Sequence, residues 1–404
     1  MLALALQVAA LLLALWLLAN LAVCLAWWRP LARIWREPVL RHPVLIIESD
    51  DWGAGPLAQA QALDEVAAVL RRHRDASGRA AVLTVAVVLA VPDAEAIRGS
   101  GHYARIELDD PRLLPILDAL RRGRRDGALA LQLHGHEHFW PAALMASSDP
   151  AVQDWLRGPV PATTERLPSP LQSRWVDASR LPSSPHAMPV VDEAVAAEVQ
   201  AFERLLGEPP RVVVPPTFVW TREVEDAWAA QGIECIVTPG WRYPRRRADG
   251  LPDGDEGPLA NGDRRGGLVY LARADYFEPA RGRDALYALR ALDAAVAEAR
   301  PCLLENHRDN FIGDAATCRE SLDQLDQLLR MARERHAGLR FLSSLELGRL
   351  LRARDPAWVA QGWRDRLPAL WQRLQRSGRP WKVMRLTGLA SLVGLWLRPA
   401  RGLA

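Results

Sequence analysis

The sequence predicts an α/β domain whose strands run parallel around a closed or nearly closed barrel. From residue 43 onward, short apolar runs alternate with longer amphipathic stretches about seven or eight times, and strict alternation of this kind favours parallel strands. Ionisable residues also gather where three of the apolar runs stop. The carboxyl ends of parallel strands are where such folds place their chemistry.

Each element follows from local pattern. Residues 44–48 read as the first strand, and 57–72 as a helix with Leu63, Val66, Ala67 and Leu70 on one face. Residues 81–89 form the next strand. The helix over 111–122 starts with a proline, tolerated there because the first helical N–H has no partner to lose. Residues 128–133 are the central strand. Beyond it come a helix over 192–206, a strand over 211–214, a helix over 222–231, strands over 233–237 and 268–272, and a helix over 284–299. A strand over 302–305, a helix over 317–335, a strand over 339–342 and a helix from Ser344 complete the order. Between 139 and 190 proline and serine crowd the chain. This stretch is expected to be an irregular insertion, placed by its position after the central strand to act as a lid.

Residues 2–28 carry no charge, and a helix of that length crosses a hydrocarbon layer of about 30 Å. No basic residue precedes the apolar run, so a cleaved signal peptide fits poorly. Trp27 and Trp28 suit an interface, and Arg29, Arg33, Arg36 and Arg41 follow. Positive flanks of a membrane helix are usually retained inside, which favours a cytoplasmic body attached to the inner membrane. A second apolar stretch, 386–397, is too short to span and is bracketed by Lys382, Arg385 and Arg398; it is expected to be an interfacial helix.

With Lys+Arg at 51 against Asp+Glu at 48, the net charge of +3 gives no footprint for nucleic acid. Cys24, Cys235, Cys302 and Cys318 have neither metal spacing nor a disulfide framework, and free buried thiols are expected.

The chemistry sits at three strand ends: Asp50-Asp51, the run His134-Gly135-His136-Glu137-His138, and His307. An Asp pair or a single histidine at such a place is usually a cap or a structural group. Three histidines in five residues are harder to explain that way. Imidazoles with a carboxylate suit a divalent metal and leave positions open for water and substrate. Asp50 and Asp51, being sequence neighbours on a strand, should point in different directions and take different roles. His136 should face away from His134 and His138.

An apolar strand ending in Asp50-Asp51, HxxxH at His134 and His138, the pair Pro215-Pro216 after a strand, and a strand ending in His307 together resemble the polysaccharide deacetylase family. It is also called the NodB-homology or carbohydrate esterase family 4 group. The resemblance covers approximately residues 43 to 350. It implies a distorted (β/α)7 barrel and metal-dependent removal of acetyl groups from sugars, with zinc the expected ion. Carried over by position, Asp50 becomes the general base, Asp51, His134 and His138 the metal ligands, and His307 the general acid. Trp52, Pro216, Thr217 and Trp220 become the expected substrate contacts. The chain is a divergent case: Trp52 stands before the glycine of the first motif, Val214 replaces an arginine that holds the base, and Thr217-Phe218 replace Tyr-Gly. Arg222 or Arg242 is the expected substitute for the lost arginine.

The expected organisation is a transmembrane helix (1–28), a basic juxtamembrane linker (29–42), a deacetylase-like barrel (43–350) and a helical tail (351–404). Membrane attachment implies a cell-envelope glycan or lipid-linked saccharide as substrate, with Trp140, Trp155, Trp175, Trp220 and Trp241 as sugar-stacking candidates. One alternative is a membrane-anchored glycan-binding or assembly protein whose site has decayed. Another is a glycosidase pairing Asp50 with Glu48 or Glu137, which leaves the histidines without a role.

Overall fold

The computed structural model describes residues 1–158, 163–164, 167–254, 257–391 and 394. They fall into two compact units, one of residues 42–296 and 301–354, the other from 1–41, 297–300 and the segment from 355 onward.

The larger unit is built on strands β1 (Val44–Gly53), β2 (Leu83–Val88), β3 (Leu129–Leu133), β4 (Val212–Val213), β5 (Cys235–Thr238), β6 (Leu268–Ala272), β7 (Asp275–Tyr276) and β8 (Cys302–His307). Their order across the sheet is β6-β5-β4-β3-β2-β1-β8-β7, and every neighbouring pair in it is parallel. Helices intervene along the chain and cover one face of the sheet, while its curl turns the other face inward, so both faces are shut off from water. This explains why Val44–Ile47 and Leu83–Val88 are apolar without alternation and buried throughout.

A flat sheet with strands about 4.8 Å apart would hold β6 roughly 24 Å from β1, five neighbours away. Instead Arg273, just past β6, places its guanidinium 2.7 Å from both carboxylate oxygens of Asp50 on β1. The sheet is therefore curled into a barrel. Its seam lies at Arg273, whose N–H donates to Thr238 of β5, while the next residue, Ala274, donates to Leu303 of β8. One stretch of chain thus leaves one edge and joins the other. Counting β6 and β7 as that single path gives seven parallel positions in this strand order, in agreement with the distorted seven-stranded barrel. The expected strand over 339–342 adds Arg340–Phe341, which pairs parallel with the start of β1 off that path. The sequence pattern missed β7, because two residues are too few to show a period.

The segment 139–190 is more ordered than its composition suggested. Among its described residues are helices Pro141–Ala146 and Pro150–Leu156, a 3-10 turn at Ser169–Gln172 and a strand pair, Val176–Asp177 with Ser184–Pro185. Phe139, Leu144, Val152, Trp155, Leu167 and Leu171 pack with Ile97 into a separate apolar cluster.

In the smaller unit, α1 (Leu2–Ala26) is the one helix among the described residues long and apolar enough to cross a membrane. Its Trp16 indole donates to the Thr387 carbonyl at 2.6 Å, and the Thr387 hydroxyl donates to Asn20 at 2.9 Å. Arg373, fully buried, donates to the backbone carbonyls of Glu37, Pro38, Glu298 and Ala299. The expected interfacial segment 386–397 lies partly outside the described residues; Leu386, at its start, is exposed.

Candidate metal centre

The site begins with an irregularity in β1. Its register with β2 runs to Ser49↔Val85 and resumes at Trp52↔Val87, so β1 carries one extra residue there. Asp51 absorbs it with a φ of 71°, a left-handed backbone unusual for a non-glycine residue and typical of functional positions. Gly53 completes the turn at φ 110°, where a Cβ would lie 2.2 Å from the Val88 carbonyl oxygen. The two aspartates consequently meet different partners, as the strand geometry predicted.

Asp51 faces the histidines. Its Oδ1 lies 3.3 Å from Nε2 of His134 and 3.3 Å from Nε2 of His138. Gly135 makes this convergence possible: at φ 95° it turns the chain where a Cβ would strike the Glu137 carbonyl at 2.7 Å. His134 Nδ1 is 2.7 Å from the Val214 carbonyl, which can only accept, so that nitrogen carries a proton and Nε2 can offer a lone pair. Asp51 Oδ1 is sealed from solvent and has no hydrogen-bond partner.

Three donor atoms thus surround one point, and their chemistry fits a divalent cation. Ligands about 2.0–2.1 Å from a tetrahedral zinc stand roughly 3.3–3.4 Å apart, the separation of Asp51 from each histidine, and all three donor atoms lie within 4.8 Å of one another. Burial would raise the Asp51 carboxyl, yet His138 and His134 hold it well below the usual range. Burial lowers His138 to about 4, which keeps it the neutral ligand form at pH 7.

Asp50 belongs to a second set. Arg273 grips it through both guanidinium Nη atoms and donates Nε to the buried Glu48 at 2.9 Å. Burial acts against ionisation of Asp50, but Arg273, His134 and His307 outweigh it and lower its pKa. The arginine holding Asp50 is therefore neither Arg222 nor Arg242, the expected substitutes. Arg242 pairs with Glu225 at 2.9 Å, and Arg222 opens the helix Arg222–Ala230. Arg273 sits on the opposite side of the barrel seam and reaches Asp50 because the sheet closes, a relation no local pattern shows. The Phe218 ring packs against it, 5.5 Å from the guanidinium carbon to the ring centre.

His307, opposite Asp50 in the β1–β8 register, places Nδ1 2.5 Å from the buried Glu278. Burial pulls its pKa down, but Glu278, Asp51 and Asp50 prevail and raise it to about 10. Asn310 holds the other Glu278 oxygen at 2.7 Å. Neither Glu278 nor Arg273 was singled out in the sequence. Both flank β7, which is too short to leave a period in the sequence that could have marked them.

His136 turns away from the centre toward Glu107, at 2.9 Å. Glu137 is fully buried against Arg174 (2.7 Å) and Arg105 (2.9 Å), and Glu48 against Arg273, so neither offers the free second carboxylate a glycosidase requires.

Two expected substrate contacts do not reach the site. Trp52 is fully buried, donates its indole N–H to Ser49 at 2.8 Å and stacks on Phe311. Trp220 is fully buried and donates to Glu225 at 2.9 Å. Large apolar rings next to a barrel strand end went to the core, as burial favours. Trp155 and Trp175 are likewise buried, whereas Trp140 and Trp241 are half-buried. Pro216 is buried, and Thr217, at φ 53°, is half-buried.

No family model and no curated protein matches the chain. Among solved structures it is similar to a putative polysaccharide deacetylase from Mycobacterium smegmatis, with 11% identity, 77% of this chain and 90% of that one covered, and a TM-score of 0.39. A family 4 acetyl xylan esterase from Clostridium thermocellum, in complex with cobalt, is similar at 11% identity over 76% of this chain and 91% of that one, with a TM-score of 0.37. A CE4 family pseudoenzyme from Bacillus anthracis is similar at 9% identity over 76% and 66%, also with a TM-score of 0.37. The solved structures this chain is similar to thus include CE4 deacetylases and esterases as well as a pseudoenzyme, all at low identity.

Proposed function

We propose that the protein is a membrane-anchored, metal-dependent deacetylase that hydrolyses the acetyl amide of an amino sugar in a cell-envelope glycan or lipid-linked saccharide. The observation that carries this is the convergence of Asp51, His134 and His138, with a sealed carboxylate oxygen 3.3 Å from two imidazole nitrogens. A divalent ion bound there, zinc being the expected one, supplies a Lewis acid for the acetyl carbonyl and lowers the pKa of water. Asp50, kept ionised and oriented by Arg273, accepts the proton of the attacking water. His307 holds a proton at neutral pH and gives it to the departing amine, while Glu278 fixes the ring through Nδ1 and leaves Nε2 as the donating nitrogen. The apolar α1, followed by its basic flank, supports attachment to the inner membrane with the barrel on the cytoplasmic side.

The test is acetate release from an acetylated amino sugar by the zinc-loaded protein. Asp51→Ala or His138→Ala should abolish release and bring bound zinc well below one equivalent. Release that survives both changes would sink the assignment.

Val214 and Thr217, standing where the family resemblance expects arginine and tyrosine, favour a second reading, a membrane-anchored glycan-binding or assembly protein whose catalysis has decayed. It predicts substoichiometric metal in the wild-type protein. The intact Asp50–Arg273 grip supports the first.

A further inference from the structure

Arg246 has two carbon-copy features of a binding residue and no assigned role. It is 2% exposed, and burial with no counter-charge lowers its guanidinium to about 10. Arg174, Arg242 and Arg273 are also buried, and each faces a carboxylate; among the described residues Arg246 faces none. Its Nε donates to the Ser173 hydroxyl at 2.7 Å and its Nη1 to the Gly250 carbonyl at 2.7 Å. Both acceptors are neutral, so they satisfy two donors without offsetting the charge. Nη2 makes no hydrogen bond among the described residues, and yet it is not one of the buried atoms closed off from solvent without a partner. The small exposed corner of this side chain therefore presents unused N–H groups of a cation.

The location links this corner to the candidate centre. Ser173 Oγ, which accepts from Arg246, is 2.9 Å from Thr217 Oγ1. Thr217 follows the prolines after Val214, whose carbonyl orients His134, and precedes Phe218, whose ring covers Arg273. On the other side, Arg174, next to Ser173, is bonded to Glu137 between His136 and His138. Arg246 thus stands two hydrogen bonds, through Ser173, from Thr217 on the loop that carries the carbonyl holding His134.

We infer that Arg246 is the floor of an oxyanion subsite, which takes a carboxylate or phosphate group borne by the saccharide next to the acetylated position. This deepens the deacetylase reading and rests on it for the identity of the ligand. A guanidinium whose Nε and Nη1 are already fixed offers Nη2 to an anion with little rotamer freedom left to lose. The Thr217 hydroxyl, polarised through Ser173, adds a neutral donor toward the same group.

The experiment compares kcat/KM of the full-length, zinc-loaded protein in detergent for three substrates. These are methyl N-acetylglucosaminide, which is neutral, N-acetylmuramic acid, which bears a carboxylate, and N-acetylglucosamine 1-phosphate. At least one anionic substrate should exceed the neutral one by tenfold or more, and the better of the two identifies the oxyanion. In Arg246→Gln that ratio should fall to about one. Arg246→Lys keeps the charge and loses the fork, so it should retain an intermediate ratio and serves if the glutamine variant fails to fold. A wild-type ratio near one, or a ratio unchanged in whichever variant folds, overturns the inference. A second arm is independent of turnover: inorganic phosphate is titrated into Asp51→Ala by 31P NMR. Its affinity should drop at least tenfold when Arg246→Gln is added, and by a smaller but measurable factor when Arg246→Lys is added. Phosphate binding lost with Arg246 in a protein that never releases acetate would leave the subsite standing and remove the deacetylase; equal binding in both proteins would remove the subsite.

Discussion

At the scale of single residues, the candidate site divides into groups that local sequence reveals and groups that only closure of the barrel creates. Asp51, His134 and His138 could be picked out because each ends an apolar run and because histidine is rare in this chain, nine in all. Arg273 could not. With Lys+Arg at 51, one more arginine carries no contrast, and its partner Asp50 is more than two hundred positions away. Glu278 was hidden too, since it stands outside any apolar run and meets His307 only through the pairing of β7 with β8. It also gives the sharpest test of the acid assignment. The folded state raises His307 to about 10 from an ordinary value near 6.5, so its proton is present at neutral pH and is lost as the pH climbs through the raised value. Glu278→Gln removes a carboxylate 2.5 Å from Nδ1 and should move the alkaline limb of kcat down by about one unit or more. A limb that stays in place would mean that His307 is not the group being titrated.

At the scale of elements, the strands were legible from their unbroken apolar runs, and the insertion after β3 was not. Its prolines and serines suggested irregular chain, and the missing information was a buried ionic contact. Arg174 donates to Glu137 at 2.7 Å and to Glu198 at 3.1 Å, with all three side chains buried. The insertion is thereby tied to the histidine-bearing turn and to the helix Met188–Leu206. Removing one member leaves the other charges buried without compensation, which typically costs about 3–5 kcal/mol. Arg174→Met should therefore lower the unfolding free energy by about that amount in urea denaturation and weaken zinc binding, because Glu137 lies between the two loop histidines. A loss of about 1 kcal/mol or less would show that the network is solvated and contributes little.

At the scale of the whole molecule, the curled sheet and the apolar N-terminal helix were both foreshadowed by composition along the chain. The grouping of 297–300 with the two chain ends was not, since it depends on contacts such as those of Arg373. The proposed anchor makes a direct prediction. The full chain should remain with membranes through an alkaline carbonate wash, and a chain starting at residue 27 should appear mostly in the soluble fraction; equal retention of both would assign the attachment to another segment. The barrel seam has a consequence of its own. Arg273 lies on the stretch of chain that crosses between β6 and β7, and its guanidinium holds Asp50 on β1. If the proposed hydrolysis holds, thermal breathing at that gap should silence it while every helix stays intact, so acetate release would report local opening before global unfolding is measurable.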